Sequence, residues 1–90
     1  MKTVTLEIGN IETVRALHIY LQYKLDFPAY YGGNLDALYD MLTQESEPVC
    51  IEIAYQQDAE YETTGYFPKL LRVLEDAARD NDRLTIAFRE

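Results

Sequence analysis

Residues 28–44 read PAYYGGNLDALYDMLTQ, and the parsing of this stretch decides how the rest of the chain folds. Pro28 cannot continue a helix, and it pushes Phe27 toward extended backbone. Gly32-Gly33 breaks the chain again, and Asn34 follows as a good N-cap residue. The spacing predicts a helix from Asn34 to near Gln44. At about 100° per residue, Leu35, Leu38, Met41 and Leu42 gather into one apolar stripe.

Upstream, TVTLEI at 3–8 alternates Val4, Leu6 and Ile8 with Thr3, Thr5 and Glu7, a strand pattern closed by Gly9-Asn10. From Thr13, the residues Val14, Leu17, Leu21 and Leu25 recur at helical spacing, so a first helix runs to about Lys24. Downstream, Pro48 precedes VCIEIAY (49–55), a β-branched second strand. Residues 56–64 are polar and acidic, which suits a loop or a short helix. Phe67-Pro68 is expected to open the third helix, because proline fits a first helical turn. Leu70, Leu71, Val73, Leu74, Ala77 and Ala78 give that helix its apolar face, Asn81 ends it, and LTIAF (84–88) forms the last strand.

The order is therefore β, α, α, β, α, β. Strands separated by helical crossovers pair in parallel with right-handed connections. The expected class is α/β: a single small domain over residues 1–90, with a three-stranded parallel sheet packed against three or four helices. An α+β arrangement with one antiparallel strand is the alternative.

Composition narrows the function. Ninety residues, 48% hydrophobic and 12% aromatic, suffice for one modest core. No apolar run approaches the ~18 residues of a membrane span. MKTVTLEIGN has no apolar signal-peptide core, and the lone Cys50 has no internal partner, so a cytoplasmic location is expected. Sixteen acids against eight bases give a net charge of −8. No cation lies between Lys24 and Lys69, an interval holding Asp26, Asp36, Asp40, Glu45, Glu47, Glu52, Asp58, Glu60 and Glu62. Such a field repels nucleic acid and attracts a basic protein, although acidity can also serve solubility alone.

Little supports catalysis. His18, the single histidine, falls beside Leu17, Leu21 and Leu25 on the first helix and reads as a packed structural residue. Cys50 alternates within an apolar strand, where cysteine behaves as a small hydrophobe. No His/Cys cluster has zinc spacing and no loop has EF-hand spacing. Gly32-Gly33 lacks the lysine of a phosphate-binding loop and the third glycine of a dinucleotide fingerprint, so a tight turn explains it better. The expectation is a non-enzyme without cofactor or metal.

What remains is the outer face of the second helix. Asp36 and Asp40 lie about 40° apart there, with Thr43 near them and Tyr39 at the edge of the apolar stripe. Asp36 benefits from the helix dipole, whereas Asp40 has no cation one turn away on either side. A bare anionic face bordered by tyrosines has the composition of a surface for a partner's cationic side chains.

At these residues the chain resembles the barstar family, intracellular inhibitors of the secreted ribonuclease barnase. The resemblance rests on Pro28, Tyr30, Tyr31, Gly32, Asn34-Leu35-Asp36-Ala37-Leu38, Asp40, Leu42 and Thr43. It extends more loosely through Leu17-His18, the second strand, Ala77 and Leu84-Thr85-Ile86. The resemblance implies a bacterial cytoplasmic inhibitor of immunity or antitoxin type, monomeric when free, that binds a basic ribonuclease and neither nucleic acid nor membrane. It further implies that Asp40 takes the place of the RNA phosphate and that Asp36 meets nearby cationic or backbone groups. Tyr30 would pack on the catalytic histidine, Asn34 and Thr43 would touch the rim, and Asp76 would supply a peripheral charge. The barnase–barstar pair is itself a standard example of electrostatic steering and charged hot spots, so the strength of such contacts comes with the resemblance.

The contact surface departs from the family pattern at Tyr39 (tryptophan in barstar), at Gly33 (glutamate) and at Gln44-Glu45 (glycine and tryptophan). Tyr39 and Gln44 are therefore expected to contact the partner while altering its identity. A barstar-like binding domain whose target is not a nuclease is the alternative reading.

Overall fold

The computed structural model describes residues 2–54 and 62–89. Its elements are β1 (Lys2–Glu7), α1 (Val14–Lys24), α2 (Leu35–Thr43), β2 (Val49–Ala54), α3 (Glu62–Asp80) and β3 (Leu84–Arg89). The strands form one sheet in the order β1-β2-β3, and both pairings are parallel. The α/β expectation is met with three helices among the described residues, and the antiparallel alternative is excluded.

Register explains how one short sheet carries the core. Val4 pairs with Ile51 and Ile51 with Ile86, while Leu6 pairs with Ile53. Val4, Leu6, Val49, Ile51, Ile53 and Leu84 are all buried. They meet Leu17 and Leu21 of α1, Leu38 and Leu42 of α2, and Leu70, Leu74 and Ala77 of α3 in one cluster. The alternate residues Thr5, Cys50 and Glu52 are only half-buried, with the Thr5 hydroxyl donating to Glu52 Oε1 at 3.0 Å. Parallel sheets are commonly apolar on both faces. Here the alternation seen in the sequence reports a sheet with one buried face.

The first helix ends by a device the sequence reading missed. Asp26 has φ 58°, and the Phe27 amide donates to Gln22 O at 3.0 Å. This is the left-handed C-terminal turn usually given to glycine, and aspartate is among the few other residues that tolerate it. Pro28 therefore follows a helix that has already closed.

The third helix corrects an expectation. It begins at Glu62, not at Phe67-Pro68, and Pro68 lies inside it. A proline there removes one intrahelical hydrogen bond. Tertiary contacts hold the early turns nonetheless: Thr63 is buried and its hydroxyl donates to Ile11 O, and Tyr66 reaches His18. Glu62, Thr63 and Thr64, read as loop or short helix, are thus helical; residues 56–61 of that stretch, and Tyr55 of the expected second strand, lie outside the described residues.

Candidate protein-binding surface

The loop before α2 is built from few parts. The Gln22 side-chain amide donates to Pro28 O at 2.8 Å, and the Tyr31 amide donates to the same carbonyl at 3.0 Å. Phe27 and Tyr31 stack with ring centroids 4.9 Å apart. Gly33 takes φ +68°, a conformation that glycine adopts without strain. Asn34 then caps α2 as the sequence indicated, its Oδ1 accepting from the Ala37 amide at 2.8 Å. Behind this entry, Leu38 and Leu42 are fully buried and fix the helix's rotation.

That rotation leaves Asp36 and Asp40 exposed, one turn apart. Neither has an ion-pair partner among the described residues. Tyr30 projects from the loop, 79% exposed. Asn34 is exposed, but one side-chain atom is occupied by capping. Thr43 is half-buried and turns its hydroxyl back to Tyr39 O (2.9 Å) and Asp40 O (3.2 Å). Gln44 is the exposed C-cap residue.

Tyr39 and Asp76 are tied into a second group. The Tyr39 hydroxyl donates to the Asp80 carboxylate at the end of α3. That bond raises the Tyr39 pKa and, from the other side, lowers that of Asp80, with Arg79 adding to the latter. Arg79 reaches Asp76 at 3.3 Å and Asp80 at 3.6 Å. The expected peripheral charge of Asp76 is thus shared with a cation of its own helix. These exposed contacts orient side chains more than they stabilise the fold.

Three contributors escaped the sequence reading. Asp80 is one. Asn81, read only as a helix stop, is buried; its amide donates to Leu42 O (2.9 Å) and Glu45 O (3.1 Å). It thereby terminates α2 from the neighbouring helix. Tyr66 is the third: its hydroxyl lies 2.7 Å from His18 Nε2, while the Tyr31 hydroxyl lies 2.7 Å from Nδ1. His18 is buried, which lowers its pKa, and burial likewise raises Tyr31 and Tyr66. With both ring nitrogens occupied, this imidazole has the structural role its helix position suggested. Among the described residues, no group of three or more His, Cys, Asp or Glu is placed to hold a metal ion, and no helix is long and apolar enough to cross a membrane.

The family model for barstar, described as a barnase inhibitor, matches residues 1–89. The chain belongs to the barstar family. A Bacillus subtilis (strain 168) protein called "Putative ribonuclease inhibitor YrdF" is 49% identical to it over 43 residues. That match covers 48% of this chain and 47% of the relative, so the chain spans about half of that relative's length. Within this barstar-family fold, the exposed acidic face lies on α2 and the exposed Tyr30 on the loop before it.

Proposed function

We propose that this barstar-family protein inhibits a small basic ribonuclease, without chemistry of its own, by covering the enzyme's active site with α2 and the loop before it. One observation carries the reading. Asp36 and Asp40 share one exposed face, without a neutralising cation among the described residues, on a helix whose other face is locked by Leu38 and Leu42. Two uncompensated carboxylates one turn apart repel each other in the free protein. A cationic active site relieves that repulsion and replaces the water around them with charged hydrogen-bond donors.

In this reading Asp40 occupies the RNA phosphate position with Asp36 beside it, and Tyr30 covers the catalytic histidine. Asn34, Tyr39, Thr43 and Gln44 meet the surrounding rim, and Asp76 contributes at the periphery. The inhibitor is a cytoplasmic monomer when free.

The test is inhibition of a panel of small basic microbial ribonucleases by the parent protein and by Asp40→Ala and Glu47→Ala. Loss confined to Asp40→Ala supports the reading, and equal small effects would overturn it. Absence of inhibition across the panel, with capture of a non-nuclease partner, would favour a barstar-like binding domain with a different target. The tethered Tyr39 and the exposed Gln44 are the features that would direct it there.

A further inference from the structure

The loop before α2 is tied to the body of the protein by hydrogen bonds with Gln22 and His18 and by the packing of Phe27 and Tyr31. An open pocket of about 430 Å³ lies beside it, lined by Arg15, His18, Ile19 and Gln22 of α1 and by Tyr31 and Gly33 of the loop among others. Gly32 and Gly33 bring no side chain to fill that space, and a Cβ built on Gly33 would come only within 3.9 Å of His18 Cβ. At Gly33 the loop therefore runs beside His18 of α1 without a side chain between them. Besides the Gln22–Pro28 bond and the packing of Phe27 and Tyr31 against the core, a polar link inward runs through Tyr31 to His18, and from His18 to Tyr66 on α3.

We infer that Tyr66 is a positioning residue for partner binding: through His18 and Tyr31 it holds the loop that presents Tyr30. The inference rests on the proposed inhibitory reading for its consequence in binding, but not for its structural part. A neutral imidazole has one donor and one acceptor nitrogen. If Tyr66 donates to Nε2, then Nδ1–H donates to Tyr31; if Tyr31 donates to Nδ1, then Nε2–H donates to Tyr66. Either way the proton arrangement is fixed across three elements at once, and His18 packs edge-on to Tyr66 with ring centroids 5.7 Å apart. Removing the Tyr66 hydroxyl leaves Nε2 buried without its partner. The imidazole then reorients, and the adjoining cavity gives the ring and the loop room to move.

The experiment compares Tyr66→Phe, Tyr31→Phe and the double variant with the parent as full chains. Imidazole nitrogen NMR of His18 first establishes that the Nε2 bond is gone. Backbone order parameters of Tyr30–Gly33 are then expected to fall from the rigid range near 0.85 toward about 0.6, while those of β2 stay unchanged. Against a basic ribonuclease that the parent inhibits, each single variant should bind roughly tenfold more weakly, and the double variant no more weakly than either one. A loop that stays rigid after loss of the bond overturns the inference. So does equal loosening of β2, which would mark a general packing role, or a loosened loop with unchanged affinity. If the parent inhibits no ribonuclease, the inhibitory reading fails by itself, and the order parameters still decide whether Tyr66 holds the loop.

Discussion

Tyr39 on α2 donates its hydroxyl to the carboxylate of Asp80, the last residue of α3. The bond fixes the direction of the one aromatic ring on α2, and it does so from a residue outside that helix. Because the Asp80 bond is the leading cause of the raised Tyr39 pKa, Asp80→Asn should bring it back toward the ordinary value of 10.0. Tyrosine ring-carbon NMR through an alkaline titration reads this directly. An unmoved Tyr39 curve would show that the two side chains do not meet in solution.

Asp40→Ala should separate stability from binding. Removing one of two like charges at i, i+4 raises folding stability slightly, by ~0.2–0.5 kcal/mol. Inhibition should weaken by about thirtyfold or more, the general scale of a charged hot spot, a class that counts barstar among its own examples. Association of the parent should slow as salt rises, because exposed charges are screened beyond roughly 8 Å at physiological ionic strength. Denaturant midpoints and stopped-flow association rates check both halves.

His18 should make stability depend on pH in the mildly acidic range. Burial lowers its folded pKa below the unfolded value of 6.5, so the unfolded chain takes up the proton first. The contribution is fully present above pH 6.5 and is lost as pH falls from there through the folded value. The groups facing the ring are the Tyr31 and Tyr66 hydroxyls, both neutral throughout, with Arg15 lining the same cavity. His18→Gln should flatten this part of the profile relative to the parent in urea unfolding between pH 5 and 7.5.

Asn81→Ala should cost ~1–3 kcal/mol, the usual range when buried groups lose their hydrogen-bond partner. It strips the donor from Leu42 O and Glu45 O and the acceptor from the Arg83 amide at once. Because two of these lie at the end of α2, amide exchange there should quicken more than in β1. A uniform change across the chain would argue against a specific cap.

The sequence disclosed the features that depend on near neighbours. Strand alternation, the Asn34 cap and the Leu38/Leu42 stripe each repeat within a few residues, and each stands where the pattern placed it. The exposed acidic pair followed from the same helical geometry. What stayed hidden depends on partners far along the chain. Pro68 reads as a helix start because local chemistry favours it there, yet contacts to Ile11 and His18 extend α3 back to Glu62. That displaced start concealed Tyr66 entirely. Asn81 and Asp80 are ordinary helix-end residues by sequence, and only the packing of α3 against α2 gives them work on another element. Asp26 hid for a different reason: a left-handed aspartate is rare enough that Pro28 took the credit for ending α1.

The anchoring of α2 by Leu38 and Leu42 has a consequence for inheritance. The side chains that hold the helix and those that face outward are disjoint sets, since Asp36 and Asp40 contribute nothing to the buried cluster. Substitutions on the outer face can accumulate without disturbing the sheet register or the leucine contacts beneath. A lineage carrying this scaffold can therefore rewrite the outer face by a few codons while the body beneath it is copied unaltered.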